Sequence, residues 1–310
     1  MKCNTAILIL SYNRLNYIKD LVKVIKMLNH SKIYISNDGP KSKGDEKKVF
    51  EVRNFLIDSF KDNENVFFKF QDTNKGCKLC NEEAISWFFE NEEEGIVLED
   101  DCIPNITFFK FCDTLLEKYR FDNRIWLISG TNVSETIYSD SSYFFSNLGG
   151  IHGWASWSRC WSNYVKNYDG LDKYIENKAM FSQFENSVGL KRVNQFKRVN
   201  KYKISSWAYS WGFTRNFYNG LSIIPSVNLI NNIGYNSQES THNFGEKHIN
   251  ISSTDMIFPL IHPIGVYPNS SYDIKAIKER NVILKVIDIF KNHKTPLAYI
   301  FKKAKQYLSV

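Results

Sequence analysis

The sequence lacks several features that would place it in a familiar class. No apolar run is long enough to span a bilayer. Cys77 and Cys80 form a lone CxxC with no second pair, which argues against a zinc site. No GxGxxG follows the first predicted strand, and no GxxxxGK followed by Ser or Thr occurs. The sequence therefore lacks the main motifs that would indicate a dinucleotide-fold dehydrogenase or a P-loop enzyme. Any bound phosphate must then be neutralised by a metal and scattered basic residues.

Composition bounds the class of protein. With 310 residues, 43% hydrophobic and 15% aromatic, the chain is able to bury a large core and is not a disordered protein. Its 40 basic and 33 acidic residues give a net charge of +7, which indicates an anionic partner such as a nucleotide, a phospholipid surface or a nucleic acid. The six irregularly spaced cysteines favour free thiols in a reducing compartment, so a cytoplasmic location is expected.

The first 130 residues alternate apolar runs with amphipathic segments. This pattern predicts an α/β fold whose central sheet is mostly parallel, with right-handed connections and helices on both faces. AILIL near the N-terminus is followed at once by polar SYNR, so it is predicted to be a strand rather than a signal-peptide core. The predicted strands are Ala6–Leu10, Ile33–Ser36, Val66–Phe70, the run ending at Glu99, and Ile125–Ser129.

Three consecutive carboxylates end the fourth of these strands. Glu99, Asp100 and Asp101 follow the apolar run Ile96–Leu98 and precede Pro104. Adjacent acids repel one another, and a bound divalent cation relieves that repulsion; hard oxygen ligands suit Mg²⁺ or Mn²⁺. The alternative is a solvated acidic turn. The position at a strand end favours a metal site, because open α/β sheets bind ligands there.

Polar turns also follow the other strands, and in a parallel sheet they converge on one edge. Arg14 is suited to holding a phosphate or lying against a base, and Asp38 to accepting a hydrogen bond from a uracil imide or a ribose hydroxyl. Gly76 has no Cβ, so the backbone there is able to approach a ligand closely. Ordinary capped turns are the alternative for each. The candidate donor-binding residues in these turns are Ser11, Tyr12, Arg14, Asp38, Asn74, Lys75 and Gly76.

Beyond Gly130 the sequence becomes rich in tryptophan and glycine. The blocks Gly149–Trp161 and Trp207–Trp211 set aromatic rings among small residues, a composition that suits stacking on sugar rings. A buried aromatic core is the alternative. Gly153, Trp154, Trp207 and Tyr209 are the candidate acceptor or sugar-binding residues.

Three stretches carry a resemblance to a known family: VLEDDCIP, GWASWSRCW, and SIIPSVNLINNIGYNSQESTH at Ser222–His242. From Ala6 to His242 the chain resembles the GT-A fold nucleotide-diphospho-sugar glycosyltransferases. It is most similar to bacterial cell-surface polysaccharide enzymes related to animal N-acetylglucosaminyltransferase I. The resemblance implies sugar transfer, with inversion, from a uridine-linked donor to a hydroxyl of a lipopolysaccharide, O-antigen or capsule precursor. The transferred unit would be a hexose or an N-acetylhexosamine.

The resemblance also implies roles for individual residues. Asp101 would ligate Mn²⁺ or Mg²⁺, while Asp100 and Glu99 would contact the ribose or the donor sugar. Thr241 and His242 fall in a loop that would close over the donor, and His242 is a second candidate metal ligand. The family carries its catalytic carboxylate between two tryptophans, but Trp207–Trp211 contains no acid. Asp169, Asp172 and Glu185 are the remaining candidate bases, of which Glu185 is taken here. The alternative is that no base is present, which would fit a retaining reaction.

The resemblance and the charge pattern also suggest how the chain is organised. Residues 1–130 are predicted to bind the nucleotide-sugar, and 131–272 to form the acceptor half of the same domain. Residues 273–310 are basic and amphipathic, which predicts either helices on the inner face of the cytoplasmic membrane or helices packed on the domain. A lipid-linked glycan acceptor would suit helices that lie on the membrane. Nucleic acid is not an expected partner. Rival functions are a sugar-1-phosphate nucleotidyltransferase and a non-catalytic carbohydrate-binding protein.

Overall fold

A central mixed sheet organises the structure. The computed structural model describes residues 2–30, 32–132, 134, 138–176, 186–236 and 252–277. The strands within these ranges are β1 Lys2–Cys3, β2 Ala6–Ser11, β3 Asn29–His30, β4 Ile33–Asn37, β5 Val66–Phe70, β6 Glu94–Glu99, β7 Cys102–Pro104, β8 Ile125–Ser129, β9 Tyr143–Ser146, β10 Trp154–Trp157, β11 Leu221–Pro225 and β12 Ile230–Asn232.

Eight strands form the main sheet, in the order β5-β4-β2-β6-β10-β8-β11-β9. β10 runs antiparallel to both of its neighbours, and β9 runs antiparallel to β11. The other six strands share one direction, since their remaining pairings are parallel. Two small sheets, β1 with β3 and β7 with β12, complete the strand pairing of the described ranges.

Helices connect the strands and cover the sheet. They are α1 Leu15–Lys26, α2 Lys43–Phe60, α3 Gly76–Asn91, α4 Thr107–Tyr119, α5 Ser158–Trp161, α6 Leu171–Glu176, α7 Asn186–Lys201 and α8 Trp207–Phe217. Helices α1 and α2 join strands placed successively toward the β5 edge, whereas α3 returns across the sheet to β6. Right-handed connections therefore put α3 on the face opposite α1 and α2. None of the described helices combines the length and the apolarity needed to cross a membrane.

The main hydrophobic core draws on both halves of the chain. Ile7, Leu98 and Phe108 contribute to it from the first half, and Trp154 and Ile230 from the second. Burial on both faces explains why β2 and β6 are continuous apolar runs rather than alternating ones. The α/β class and the mostly parallel, helix-covered sheet are confirmed. The functional division at residue 130 stays a prediction, and residues 278–310 of the predicted C-terminal extension lie outside the described residues.

Candidate functional site

The acid triplet lies at the carboxyl end of β6, in the middle of the main sheet. Leu10 of β2 pairs with Glu99, and the Asp100 N–H donates to the Leu10 carbonyl at 3.0 Å. Asp100 is buried, at 3% exposure, while Glu99 and Asp101 are half-buried. The neighbouring strands thus fix the backbone of the triplet, and two of its three carboxylates remain partly open to solvent.

Arg14 holds two of the three acids. Its guanidinium forms an ion pair with Asp100 through Nη2, and its Nε donates to Asp100 Oδ2 at 3.2 Å. Nη1 donates to Asp101 Oδ2, also at 3.2 Å. The guanidinium also lies over the ring of Tyr17, 5.0 Å from its centroid. One arginine therefore faces three carboxylates, which leaves an excess of negative charge in a partly buried space.

That excess appears in the pKa values. Burial, reinforced by the charges of Asp101 and Asp100, raises the pKa of Glu99 to about 8. Burial also raises the pKa of Asp100 to about 6, even though Arg14 acts in the opposite direction. Both shifts mean that the site resists carrying all of its negative charge without a counterion.

Glu99→Gln is expected to stabilise the metal-free protein at alkaline pH. Below about pH 4.5 Glu99 is protonated in both the folded and the unfolded chain, and above about pH 8 it is ionised in both, so the free energy of unfolding falls as pH rises between these values. Urea unfolding at about pH 9 should show the variant more stable by roughly 2–4 kcal/mol, with little difference near pH 4. Glu64→Gln, at an exposed position, is the control; parallel pH profiles for wild type and Glu99→Gln would contradict the prediction.

A second segment reaches the triplet through the small β7–β12 sheet. Asn232 pairs with Cys102, and the Ile233 N–H donates to the Asp101 carbonyl at 3.0 Å. A Cβ atom at Gly234 would lie 2.4 Å from Asp101 Oδ2, so a side chain there would displace the Asp101 carboxylate from its present position. Asn232 Nδ2 also lies 3.0 Å from His152 Nδ1. The asparagine-rich part of the Ser222–His242 block therefore forms one wall of the site.

Asp38 organises the turn before α3. Its carboxylate accepts hydrogen bonds from the Gly39 and Lys75 N–H groups at 2.8 and 2.9 Å, and from the Gly76 N–H and Asn74 Nδ2 at 2.9 and 3.1 Å. Gly76 has a φ of +78°, a conformation that favours glycine. These contacts tie the ends of β4 and β5 together, and they occupy the Gly76 N–H, which belongs to the backbone that was expected to approach a ligand.

Other polar residues of the edge were not singled out by sequence reasoning. Arg53 donates from Nε to Asn37 Oδ1 at 2.8 Å and from Nη2 to the Gln71 carbonyl at 2.6 Å. Asp45 accepts hydrogen bonds from the Tyr12 hydroxyl and from Asn13 Nδ2. Arg53 falls on the buried stripe of α2, and a charged residue on such a stripe is a usable signal of a buried polar partner.

The structure brings together most of the predicted donor-binding residues. Ser11 pairs with Asn37, and the N–H of the next residue, Asp38, donates to the Ser11 carbonyl at 3.4 Å. Arg14 joins the acids, as described above. Donor binding itself stays a prediction. Glu185, Thr241 and His242 lie outside the described residues.

The candidate sugar-binding tryptophans are placed differently from what stacking requires. Trp154 is 0% exposed and Trp207 is 2% exposed. Their ring centroids lie 6.0 Å apart, within a cluster that includes Trp161 and Trp211. Trp154 is buried because β10 lies between β6 and β8, and Trp207 is buried at the start of α8, so neither tryptophan offers a face to a sugar. Tyr209 is half-buried.

Gly153, by contrast, lies close to the site. Its carbonyl accepts a hydrogen bond from the Gly130 N–H at 2.8 Å, and its φ is +64°. A Cβ there would lie 2.5 Å from Ile230 and 3.3 Å from Leu98. Gly153 thus lets β6, β10 and β12 meet beside the acid triplet, which is a structural role whether or not it touches a sugar.

The residues present fit a divalent cation bound through few protein ligands. Among the described residues no three His, Cys, Asp or Glu side chains converge to form a complete cage. The triplet does offer hard carboxylate oxygens with uncompensated charge, and Gly234 adds no side chain beside Asp101 Oδ2, which accepts a hydrogen bond from Arg14 Nη1. Mg²⁺ and its relatives are commonly held by one or two carboxylates together with substrate phosphates, which is the arrangement this donor set suits.

Comparisons with known proteins give distant structural likenesses. No family model matches the chain, and no curated protein matches it. The chain is similar to S. aureus TarS 1-349, with 10% identity and a TM-score of 0.41 over 98% of this chain and 70% of that one. It is also similar to the mannosyltransferase PcManGT from Pyrobaculum calidifontis in complex with GDP-Man and Mn²⁺ (10% identity, TM-score 0.34, 49% of this chain and 44% of that one). A third similar structure is HddC from Yersinia pseudotuberculosis, with 13% identity and a TM-score of 0.30 over 50% of this chain and 77% of that one. Likenesses at these TM-scores do not assign an activity.

Proposed function

We propose that this protein is a metal-dependent glycosyltransferase. It moves a hexose or N-acetylhexosamine from a nucleotide-diphosphate donor, with uridine as the base, to a hydroxyl of a bacterial surface glycan precursor. The observation that carries the proposal is the acid triplet, faced by a single arginine, at the carboxyl edge of a mostly parallel sheet. The glycan class and inversion rest on the resemblance of the three sequence stretches, and attachment to the inner face of the membrane rests on residues 273–310.

The chain's own residues account for donor binding in this proposal. Asp100 and Asp101 hold the Arg14 guanidinium in a fixed position. Its positive charge there attracts the negative charge of a diphosphate. Glu99, half-buried beside it, accepts a hydrogen bond from a ribose or sugar hydroxyl. Asp101 would hold the Mg²⁺ or Mn²⁺, and the ion when bound would neutralise the charge that develops on the leaving diphosphate. Asp38 acts indirectly by fixing the turn that borders the nucleotide.

Calorimetry with uridine diphosphate tests the proposal. Uridine diphosphate is expected to bind in the presence of Mn²⁺ and to bind at least roughly ten-fold more weakly with a chelator, because the phosphates and the carboxylates then face each other without a cation. Guanosine diphosphate is the matched comparison for the base. Failure of every nucleoside diphosphate to bind, with or without Mn²⁺, would contradict the proposal. The anomeric configuration of the product by NMR then decides between inversion and retention.

A further inference from the structure

A cavity of about 310 Å³ lies against the first turns of α3. The start of α3 and the residue before it contribute Lys75, Gly76, Lys78, Leu79 and Glu82 to its lining. Two other segments contribute Lys166 with Asn167, and Ser205. The volume accommodates a monosaccharide unit, since ligand pockets begin at roughly 300 Å³. The lining mixes three lysines with one carboxylate and two neutral polar side chains, which is chemically distinct from the acid triplet.

The inner end of the cavity carries a buried carboxylate. Glu82 is only 5% exposed, and its Oε1 accepts a hydrogen bond from the Tyr164 hydroxyl at 2.6 Å. The same hydroxyl lies 3.3 Å from the Trp207 carbonyl at the start of α8. Glu82 is also one of the residues that line the cavity. A carboxylate offers about four acceptor positions, and a ligand hydroxyl is a suitable donor to one that the Tyr164 hydroxyl does not use.

The outer end of the cavity carries positive charge. Lys75 is neutralised by an ion pair with Glu83. Lys78 donates instead to the neutral Asn167 side chain at 2.7 Å, and Lys166 is exposed. Neither Lys78 nor Lys166 forms an ion pair within the described ranges. Two lysines that line the cavity therefore have no carboxylate partner within the described ranges.

The backbone holds this arrangement in place. Asn167 has a φ of +53° and Tyr168 a φ of +62°, both in the left-handed region that costs most side chains free energy. Asparagine tolerates that region better than other non-glycine residues, and here it turns its amide toward Lys78. Tyr168 packs against Phe213 of α8, with ring centroids 5.7 Å apart, which anchors the turn.

The cavity adjoins the polar edge of the sheet through the start of α3. Lys75 and Gly76 line the cavity, and their N–H groups donate to the Asp38 carboxylate at 2.9 Å. The cavity and the Asp38 turn therefore share the same two residues. A ligand in the cavity would lie beside a donor bound along this edge.

We infer that this cavity binds the acceptor, and that the acceptor unit bound there is an anionic sugar, with a carboxylate or phosphate group at Lys78 and Lys166 and a hydroxyl on Glu82. The inference deepens the proposed function, on which the word acceptor rests. It moves acceptor binding from the buried tryptophans to a site that has both room and unpaired charge.

Ligand-observed NMR titration with small sugars tests the inference. Methyl glucuronide and glucose 6-phosphate supply the carboxylate and phosphate arms, methyl glucoside is the neutral comparison, and inorganic phosphate tests for simple anion binding. At least one anionic sugar is expected to bind roughly ten-fold more tightly than methyl glucoside. Lys166→Glu and Lys78→Glu should each weaken that binding by a similar factor, while Lys23→Glu, an exposed change on α1, should not.

Several outcomes would overturn the inference. Equal affinity for the neutral sugar, unchanged affinity in both lysine variants, equal binding of inorganic phosphate and glucose 6-phosphate, or no binding of any probe would each do so. Both lysines lie away from the core, and matching thermal unfolding midpoints would show that the variants are folded. Uridine diphosphate calorimetry on the same samples separates the two proposals: loss of probe binding with intact nucleotide binding implicates the cavity alone, whereas failure of nucleotide binding in the wild type implicates the proposed function.

Discussion

Asp101→Asn is expected to lower the rate of sugar transfer by roughly 10²–10³-fold, because it removes a full charge from the group that would hold the cation against the leaving diphosphate. The amide retains the size of the carboxylate, so packing beside Gly234 and Cys102 changes little, while the ion pair with Arg14 is lost together with the charge. The substitution therefore separates charge from shape. Release of nucleoside diphosphate from a panel of donors in the presence of Mn²⁺ measures the rate.

A surface acid provides the comparison for Asp101. Asp58 lies exposed on α2, and Asp58→Asn changes the net charge equally without touching the sheet edge. This variant is expected to keep the wild-type rate. Activity retained in Asp101→Asn, or activity in wild type that persists with a chelator, would remove the metal from the proposed mechanism while leaving nucleotide binding by Arg14 open to separate measurement.

The parallel part of the fold is predictable from sequence for a simple physical reason. Strands covered on both faces are continuous apolar runs, so β2, β4, β6 and β8 are recognisable without knowledge of their partners. β5 is an edge strand that is only partly buried, and its aromatic residues favour a strand. β10 is different. It consists of four residues between a glycine turn and a short helix, and only its pairing with β6 and β8, distant in sequence, makes it a central strand. Local patterns do not encode such pairing.

The candidate site also contains some residues that local sequence predicts and others that only long-range strand pairing places. The acid triplet and the polar turns follow strands directly, so the parallel topology alone places them at one edge. Ile233 and Gly234 lie against Asp101 only because β12 pairs with β7. Composition is a poor guide to the tryptophans, because a ring among small residues is compatible with both a sugar platform and a tight core. Because Trp154 is completely buried, it belongs to the core and is not a sugar platform.

Asp38→Ala is expected to destabilise the protein by about 3 kcal/mol or more. The change leaves the N–H groups of Gly39, Lys75 and Gly76 without their carboxylate acceptor, and hydrogen bonds to a charged partner contribute about 1.5–3 kcal/mol each before relaxation. Solvent reaches part of this turn and recovers some of the loss, so the sum of the three is an upper bound. Urea denaturation followed by tryptophan fluorescence gives the free energy of unfolding.

Asp38→Asn sharpens the test, because an amide has only one acceptor oxygen. Its NH₂ group would face either the Gly76 N–H and Asn74 Nδ2 or the Gly39 and Lys75 N–H groups, so two donors would confront it in either orientation. Asn is therefore expected to restore little of the stability lost in Asp38→Ala. Asp62→Ala, at an exposed position, should cost less than about 0.5 kcal/mol. If Asp38→Asn restored all of the lost stability, one acceptor oxygen would be enough to stabilise the turn. If Asp38→Ala had the wild-type free energy of unfolding, the turn would not depend on Asp38, and its carboxylate would be free to contact the nucleotide directly.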